Sequence, residues 1–462
     1  MIQLVQRADI AVSLLDPTKE EIMNLAKILS LVVISLPVVA FSLTLEEGAK
    51  TILSSSPKVK ESVENFNGVK KEYNIAENGY LPTLDLVSSY GHETIKEPGS
   101  TKISSTMDET SLVLNQNLFN GFATENAIKQ QKSRLEAASY GVTEKADRTL
   151  LSFANAYIML LKHKELLALA QENVKTHEAI YKQIKERSDS GFGRLSETQE
   201  AGSRFTLARS NLIAQENNYR DAISTFEKLY GQKVDADELI KPDFTSVIPA
   251  NFEKINEKSF TCNPSIKVQE ANVRLASALY EGSKAAFYPK VDFEVAGTVG
   301  HDIDGLDGRK ESTSALLKLR YNLYNKGADM LNKEKYAILM IKEKETLGTL
   351  ERDLKESVKF SWESYESTQK RIAFLKEHRD FSKETLTAYQ QEFAIGKRDL
   401  INLLDAEGEY YSARQALAEA EATLMYARYR LLDNMGVITD YFEPSFAQMY
   451  DVQSCSHRSV SF

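Results

Sequence analysis

The 462-residue chain has only two cysteines, one tryptophan and six histidines. Two cysteines, Cys262 and Cys455, build no disulfide framework, although an exported chain could pair them. Proline and glycine are scarce, at 10 and 21, which favours long regular elements over many loops. His163 and His177 sit far apart on one expected helix with no second ligand pair, so both read as surface residues rather than metal ligands. Gly191-Phe192-Gly193 lacks the preceding strand and the third glycine of a dinucleotide site. Asp302 to Gly308, DIDGLDG, lacks the full ligand series and distal glutamate of a calcium loop and reads as a polar hairpin tip. With no nucleophile–base set, P-loop or zinc motif, no enzyme, metal or cofactor is expected. A formal net charge of -9 offers no nucleic-acid surface.

One long apolar run is present, near the start. From Met23, MNLAKILSLVVISLPVVAFS has a basic Lys27, an apolar stretch from Ile28 to Phe41, and small residues Ala40 and Ser42 at -3 and -1 of a cut. This is the pattern of a secretory signal peptide. Cleavage is expected after Ser42, and residues 1–22 read as an extension without signal character. No later run approaches the ~18 apolar residues of a spanning helix.

The rest of the chain is written twice. GFGRLSETQEAGSRFTLAR at 191–209 and GKRDLINLLDAEGEYYSAR at 396–414 align at a shift of 205, as do Leu118-Phe119-Asn120 with Leu323-Tyr324-Asn325 and Gly231 with Gly436. Earlier landmarks align at 207: Pro57 with Pro264, Tyr73 with Tyr280, Pro82 with Pro289. A unit this long is a duplication, not a solenoid repeat. We divide the chain into an N-terminal segment (1–42), a first repeat (43–241), a second repeat (242–437) and a tail (438–462).

Each unit reads as helix, two strands, a long helix, a glycine break and a return helix. Val291-Asp292-Phe293-Glu294-Val295 and Leu317-Lys318-Leu319-Arg320-Tyr321-Asn322-Leu323 alternate apolar with charged or polar residues, as half-exposed strands do. In the first unit, Leu84, Leu86 and Tyr90 oppose Asp85, Val87 and Ser89, and Leu112, Leu114 and Leu118 oppose Val113, Asn115 and Asn117. Stretches near 122–188 and 328–395 hold no proline. At ~1.5 Å per residue, each makes a rod of roughly 100 Å. Helices near 45–78 and 195–230 are about half as long. Leu400, Leu403, Leu404 and Leu417, Leu424, Leu431 recur at spacings suited to coiled-coil packing.

Strands that are apolar on one face, in an exported chain, fit a transmembrane β-barrel. Open edges cannot face lipid, so four strands per chain must close with other copies. Asp292, Glu294, Lys318 and Arg320 would then line a water-filled lumen. A soluble periplasmic coiled-coil tether is the rival of another class. It accounts for the helices but not for the two hairpins.

Taken together, GYLPTLDL, NLFNGF and SGFGRLSETQEA, repeated as FYPKVDFEV, NLYNKGAD and AIGKRDLINLLDAE, resemble the TolC family of outer-membrane efflux and secretion proteins. The resemblance covers about residues 43–437. It implies a mainly α fold with a transmembrane β-barrel portion. A homotrimer would share a twelve-stranded barrel, four strands from each chain, above a coiled-coil α-barrel extending through the periplasm. Its implied partners are outer-membrane lipid, a periplasmic adaptor (membrane fusion) protein, and an inner-membrane ABC transporter or other efflux pump. NLFNGFATENAIKQQ and HEAIYKQIKERSDSGFGR look most like the branch serving type I protein secretion, with drug or metal efflux as the alternative.

The resemblance also assigns residues. The breaks at Gly191 and Gly396 become the turns of the periplasmic tip, where the entrance closes and the adaptor docks. Asn402 and Asp405 match a pore-facing acidic ring, although Asn402 departs from the doubly acidic pattern. Asp405 otherwise reads as a solvated helix carboxylate. Arg398 and Glu197 match a charged latch, or are ordinary tip charges. Phe393 matches a constriction aromatic, or simply packs between helices.

Overall fold

A 67-residue helix occurs twice in this chain, as α3 (Ala123–Asp189) and α7 (Ala328–Ala394). The computed structural model describes residues 43–96, 98–99, 103–246, 248–303, 307–450 and 452. The expected signal segment and its cut after Ser42 lie outside the described residues, as does Cys455. The remaining helices are α1 (Leu45–Ser55), α2 (Pro57–Glu77), α4 (Leu195–Tyr230), α5 (Phe252–Cys262), α6 (Pro264–Ser283), α8 (Leu400–Asn434) and α9 (Ile438–Phe442). Cys262, at the end of α5, is disulfide-bonded.

The single helix expected over 45–78 is broken in two. Ser56 (φ -60°, ψ 124°) precedes Pro57, and Asn263 (φ -59°, ψ 122°) precedes Pro264 at the matching place in the second repeat. A residue before proline is pushed out of the α region, while proline is well suited to the first helical position. The break therefore follows directly from the Pro57/Pro264 pair. Among the described residues, no helix is long and apolar enough to cross a membrane.

The strands are β1 (Thr83–Ile95), β2 (Ile103–Phe119), β3 (Lys290–His301) and β4 (Arg309–Arg320). They form one antiparallel sheet in chain order, so β2 pairs with β3 although the four helices α3 to α6 separate them in sequence. The strands run further toward the hairpin tips than alternation alone indicates. Expected connections of 91–108 and 300–312 shrink to 96–102 and 302–308. Asn117 and Phe119 flank a register shift, so Leu118 is a bulged residue rather than a regular member of the apolar face.

Strand passes to long helix in the same way in both repeats. Gly121 and Phe122 have φ of 69° and 65°, and Lys326 and Gly327 have φ of 52° and 76°. These pairs are related by the shift of 205. Gly121 has no substitute: a Cβ there would lie 2.7 Å from the Ala285 carbonyl oxygen. Around the junction, Phe119, Phe122 and Tyr288 meet edge-to-face at 5.3 to 6.4 Å.

Helix α3 packs along α4 through its second half. Its first half runs beside α2 and α6, with ion pairs Arg134–Glu72 and Arg274–Glu136. Some of the largest fully buried side chains lie midway along α3. Phe153 and Tyr157 of α3 and Phe226 of α4 are fully buried there, with Tyr230 stacked on Phe153. The tail belongs to this core. Phe442 and Phe446 are buried, and the Tyr429 and Phe442 rings stack at 5.8 Å. Asn434 ties the region together: its Nδ2 donates to Ser361 Oγ at 2.8 Å and the Ser357 carbonyl at 3.3 Å, its Oδ1 accepts from Ser357 Oγ at 3.1 Å, and its main-chain carbonyl accepts from Asn263 Nδ2. Its polar atoms are thereby satisfied, as burial demands.

Candidate functional site

The sheet separates its residues by chemistry. Pairing places Leu84, Leu114, Val295 and Ala315 in one row, and Leu86 and Leu112 in the next. Val291, Phe293, Leu317 and Leu319 continue this apolar face. Leu86, Leu317 and Leu319 are about 70% exposed (71%, 68% and 70%), so the face is uncovered within the chain. The other face carries Asp85, Asn115, Asn117, Asp292, Glu294, Lys318 and Arg320. Asn117 donates to Asp292 at 2.7 Å and Lys318 to Glu294 at 2.6 Å. All four residues expected to line a lumen thus share one polar face. Among the described residues, β1 and β4 each leave an edge open.

At the far end of the helices, the two turns have the same geometry. Gly191 (φ 80°) and Gly396 (φ 74°) take the left-handed conformation. The next N–H reaches back five residues, from Phe192 to the Arg187 carbonyl at 3.0 Å and from Lys397 to the Glu392 carbonyl at 2.8 Å. This is the Schellman closure, which satisfies carbonyls at a helix end and favours glycine. Phe192, Leu195 and Ile395 project from the turns and are exposed.

Just inside the turns, Ile184 of α3, Ala201 of α4 and Leu400 and Leu404 of α8 form a buried cluster. Phe393 packs against this cluster and a second one built on Leu386, Leu403 and Ala406. Arg187 lies 5.9 Å from the Phe393 ring. Arg398 bonds Glu392 at 2.6 Å and stacks over Tyr389 at 4.0 Å, within its own hairpin. Glu197 is half-buried on α4, and Asn402 is half-buried on α8. Within one chain Arg398 therefore engages Glu392 rather than Glu197.

Asp405 has a partner that sequence reasoning missed. Arg204 Nη2 of α4 donates to Asp405 Oδ1 at 3.0 Å, and its Nε donates to Glu200 at 3.1 Å. The Arg204 and Asp405 side chains are 36% and 61% exposed, so an isolated pair of this kind contributes only ~0–1 kcal/mol. His177 is buried nearby, which corrects the surface placement expected for it. Burial and the neighbouring Arg204 charge both push its pKa down, so the imidazole is neutral at neutral pH. Glu407, one turn below Asn402 on α8, is also buried and accepts from Gln390 at 3.0 Å, and its pKa is raised by burial.

A sheet with an uncovered apolar face and a charged opposite face, mounted on paired ~100 Å helices, defines an outer-membrane channel protein with a periplasmic extension. Residues 49–232 and 258–437 match the outer membrane efflux protein family. The chain belongs to that family, the TolC-like channels its motifs resemble, and it is an outer-membrane efflux or secretion channel. It is 21% identical over 368 residues to outer membrane efflux protein BepC of Brucella suis, covering 79% of each chain. It is 20% identical over 416 residues to alkaline protease secretion protein AprF of Pseudomonas aeruginosa, covering 87% of this chain and 86% of that one. Its fold matches the crystal structure of a membrane protein from Pseudomonas aeruginosa with a TM-score of 0.76 at 15% identity, over 85% of this chain and 93% of the other. Membership in an outer-membrane family, together with the sheet, replaces the soluble-tether reading.

Proposed function

We propose that this chain is the exit duct of a type I protein secretion system. Three copies close one barrel of twelve strands, four from each chain. The observation that carries the duct is the division of the sheet into an uncovered apolar face and a charged face, with both edges unpaired among the described residues. Lipid tolerates no open edge, so closure by other copies is the physical solution. The charged face then lines water and the apolar face meets acyl chains. The duct is passive and performs no catalysis. A periplasmic adaptor and an inner-membrane ABC transporter supply coupling and energy, and the turns at Gly191 and Gly396 are where the tip opens.

The secretion branch is supported by the first-repeat text and by likeness to AprF, whose name is that of a protease secretion protein. BepC, an efflux protein by name, keeps drug or metal efflux as the second reading. Deleting the gene tests the choice. Loss of particular proteins from the medium, with drug and metal sensitivity unchanged, is the expected result. The opposite pattern replaces secretion with efflux. The native mass of the detergent-extracted protein tests the assembly, and a monomer that dissolves without detergent would sink the duct.

A further inference from the structure

At the inner edge of the tip, one guanidinium stands between two carboxylates that are equivalents of each other. Glu200 and Asp405 are related by the repeat shift of 205, and Arg204 reaches both, at 3.1 and 3.0 Å. The residue equivalent to Arg204 in the second repeat is Glu409. Its carboxylate lies 3.1 Å from His378 Nε2, so that position supplies no cation. The clasp therefore occurs once per chain.

Its placement is fixed by packing. Ala201, one turn before Arg204, and Leu404, next to Asp405, share a buried cluster with Ile184 and Leu400. Helices α4 and α8 are thus in contact where the ion pair forms. His177, buried beside Arg204 and neutral, adds no competing charge.

We propose that Arg204 is a specificity-determining counter-charge of the entrance: it clasps Asp405 across α4 and α8 and restrains the entrance's preference for cations until the two helices part. The inference rests on the duct reading. With the clasp closed, Glu200, Asp405 and Arg204 sum to one negative charge per chain. Separation of α4 from α8 leaves Arg204 with Glu200 on its own helix and exposes Asp405 alone. The cation preference of the entrance then rises on opening, without any change in composition.

The test uses the full-length protein in planar lipid bilayers, reading the potassium-to-chloride permeability ratio from the reversal potential. R204Q is expected to raise the ratio about twofold or more, because an unmasked carboxylate at a constriction attracts cations. In a D405N background the same substitution is expected to give less than half that shift, since coupled residues are not additive. R204K keeps the positive charge but loses the planar fork that spans two carboxylates, so it is expected to leave the ratio closer to wild type than R204Q does. R204M removes the charge as R204Q does, and it carries the test if R204Q does not assemble. An unchanged ratio in a conducting R204Q or R204M channel overturns the clasp, as does an equal R204Q shift in both backgrounds. A wild-type protein that forms no channel at all is a different failure, which removes the duct and the clasp with it.

Discussion

Asp147 of α3 holds the start of α9: its Oδ1 accepts the Thr439 backbone N–H at 3.2 Å and the Thr439 hydroxyl as well. Its Oδ2 has no hydrogen-bond partner among the described residues. Burial, helped by the charge of Asp433, pushes the Asp147 pKa well up. Asp433 is itself raised to about 6, again mainly by burial. Both acids have folded pKa values above their unfolded ones, so the folded state binds more protons and stability falls as pH rises. The Asp433 contribution is fully present below its unfolded value of 3.8 and is lost as pH climbs through about 6. The expected slope is on the order of 1 kcal/mol per pH unit within that window. Thermal unfolding of the purified protein across pH 4 to about 8 checks this. D147N, which stays neutral, is expected to flatten the alkaline side.

Glycines with positive φ differ in what they cost to replace. Gly191 and Gly396 have open space where a Cβ would go, so alanine there is expected to cost only the left-handed strain of about 1 kcal/mol. At Gly436 (φ 65°) a Cβ would lie 2.6 Å from the Cys262 carbonyl oxygen and 2.7 Å from Asn263 Cα. G436A is therefore expected to cost at least about 2–3 kcal/mol, strain plus overpacking. Melting curves should order the three variants, and hydrogen exchange should confine the G191A and G396A effects to the tip.

Neighbouring residues on one strand are expected to respond oppositely to the same charge. L86R puts a cation on the apolar face and is expected to cost ~2–4 kcal/mol of barrel stability if it lies near the bilayer midplane. D85R, one residue away on the polar face, is expected to assemble normally. Yields of folded protein in isolated outer membranes distinguish the two.

Asn434 joins α8 to Ser357, Ser361 and Asn263. N434A removes the side-chain partner of Ser357 and Ser361 while leaving the Asn263 bond to the residue-434 main-chain carbonyl in place, and is expected to cost about 1–3 kcal/mol. N434D keeps the shape but puts a charge on α8 close to Asp433, and its deficit is expected to grow as pH rises. Urea unfolding at two pH values separates the variants.

The duplication, both long helices to within a residue, the four strands and their faces were legible because each is written locally, in alternation, in proline-free runs or in a repeated glycine. The break at Ser56 was equally local, since Pro57 states it, but 45–78 was read as one helix. Arg204 was hidden for another reason. Its partner lies 201 positions away on another helix, and no periodicity records which charges meet when helices pack. The burial of His177 depends on the same packing. Asp405 was singled out by the family resemblance, but the arginine set against it was not, and the repeat offers no hint of it because the second repeat has Glu409 at that place.

Helices α3 and α7 act as matched rulers. Both span 67 residues between a left-handed pair at one end and a Schellman turn at the other. A one-heptad insertion in α3 and α4 alone would push one turn ~10 Å past its counterpart, leaving a staggered rim where a level one stood. Length changes in this rod are therefore constrained to occur in pairs, once in each repeat, and the duplication is a dimension the chain must keep as well as a trace of its origin.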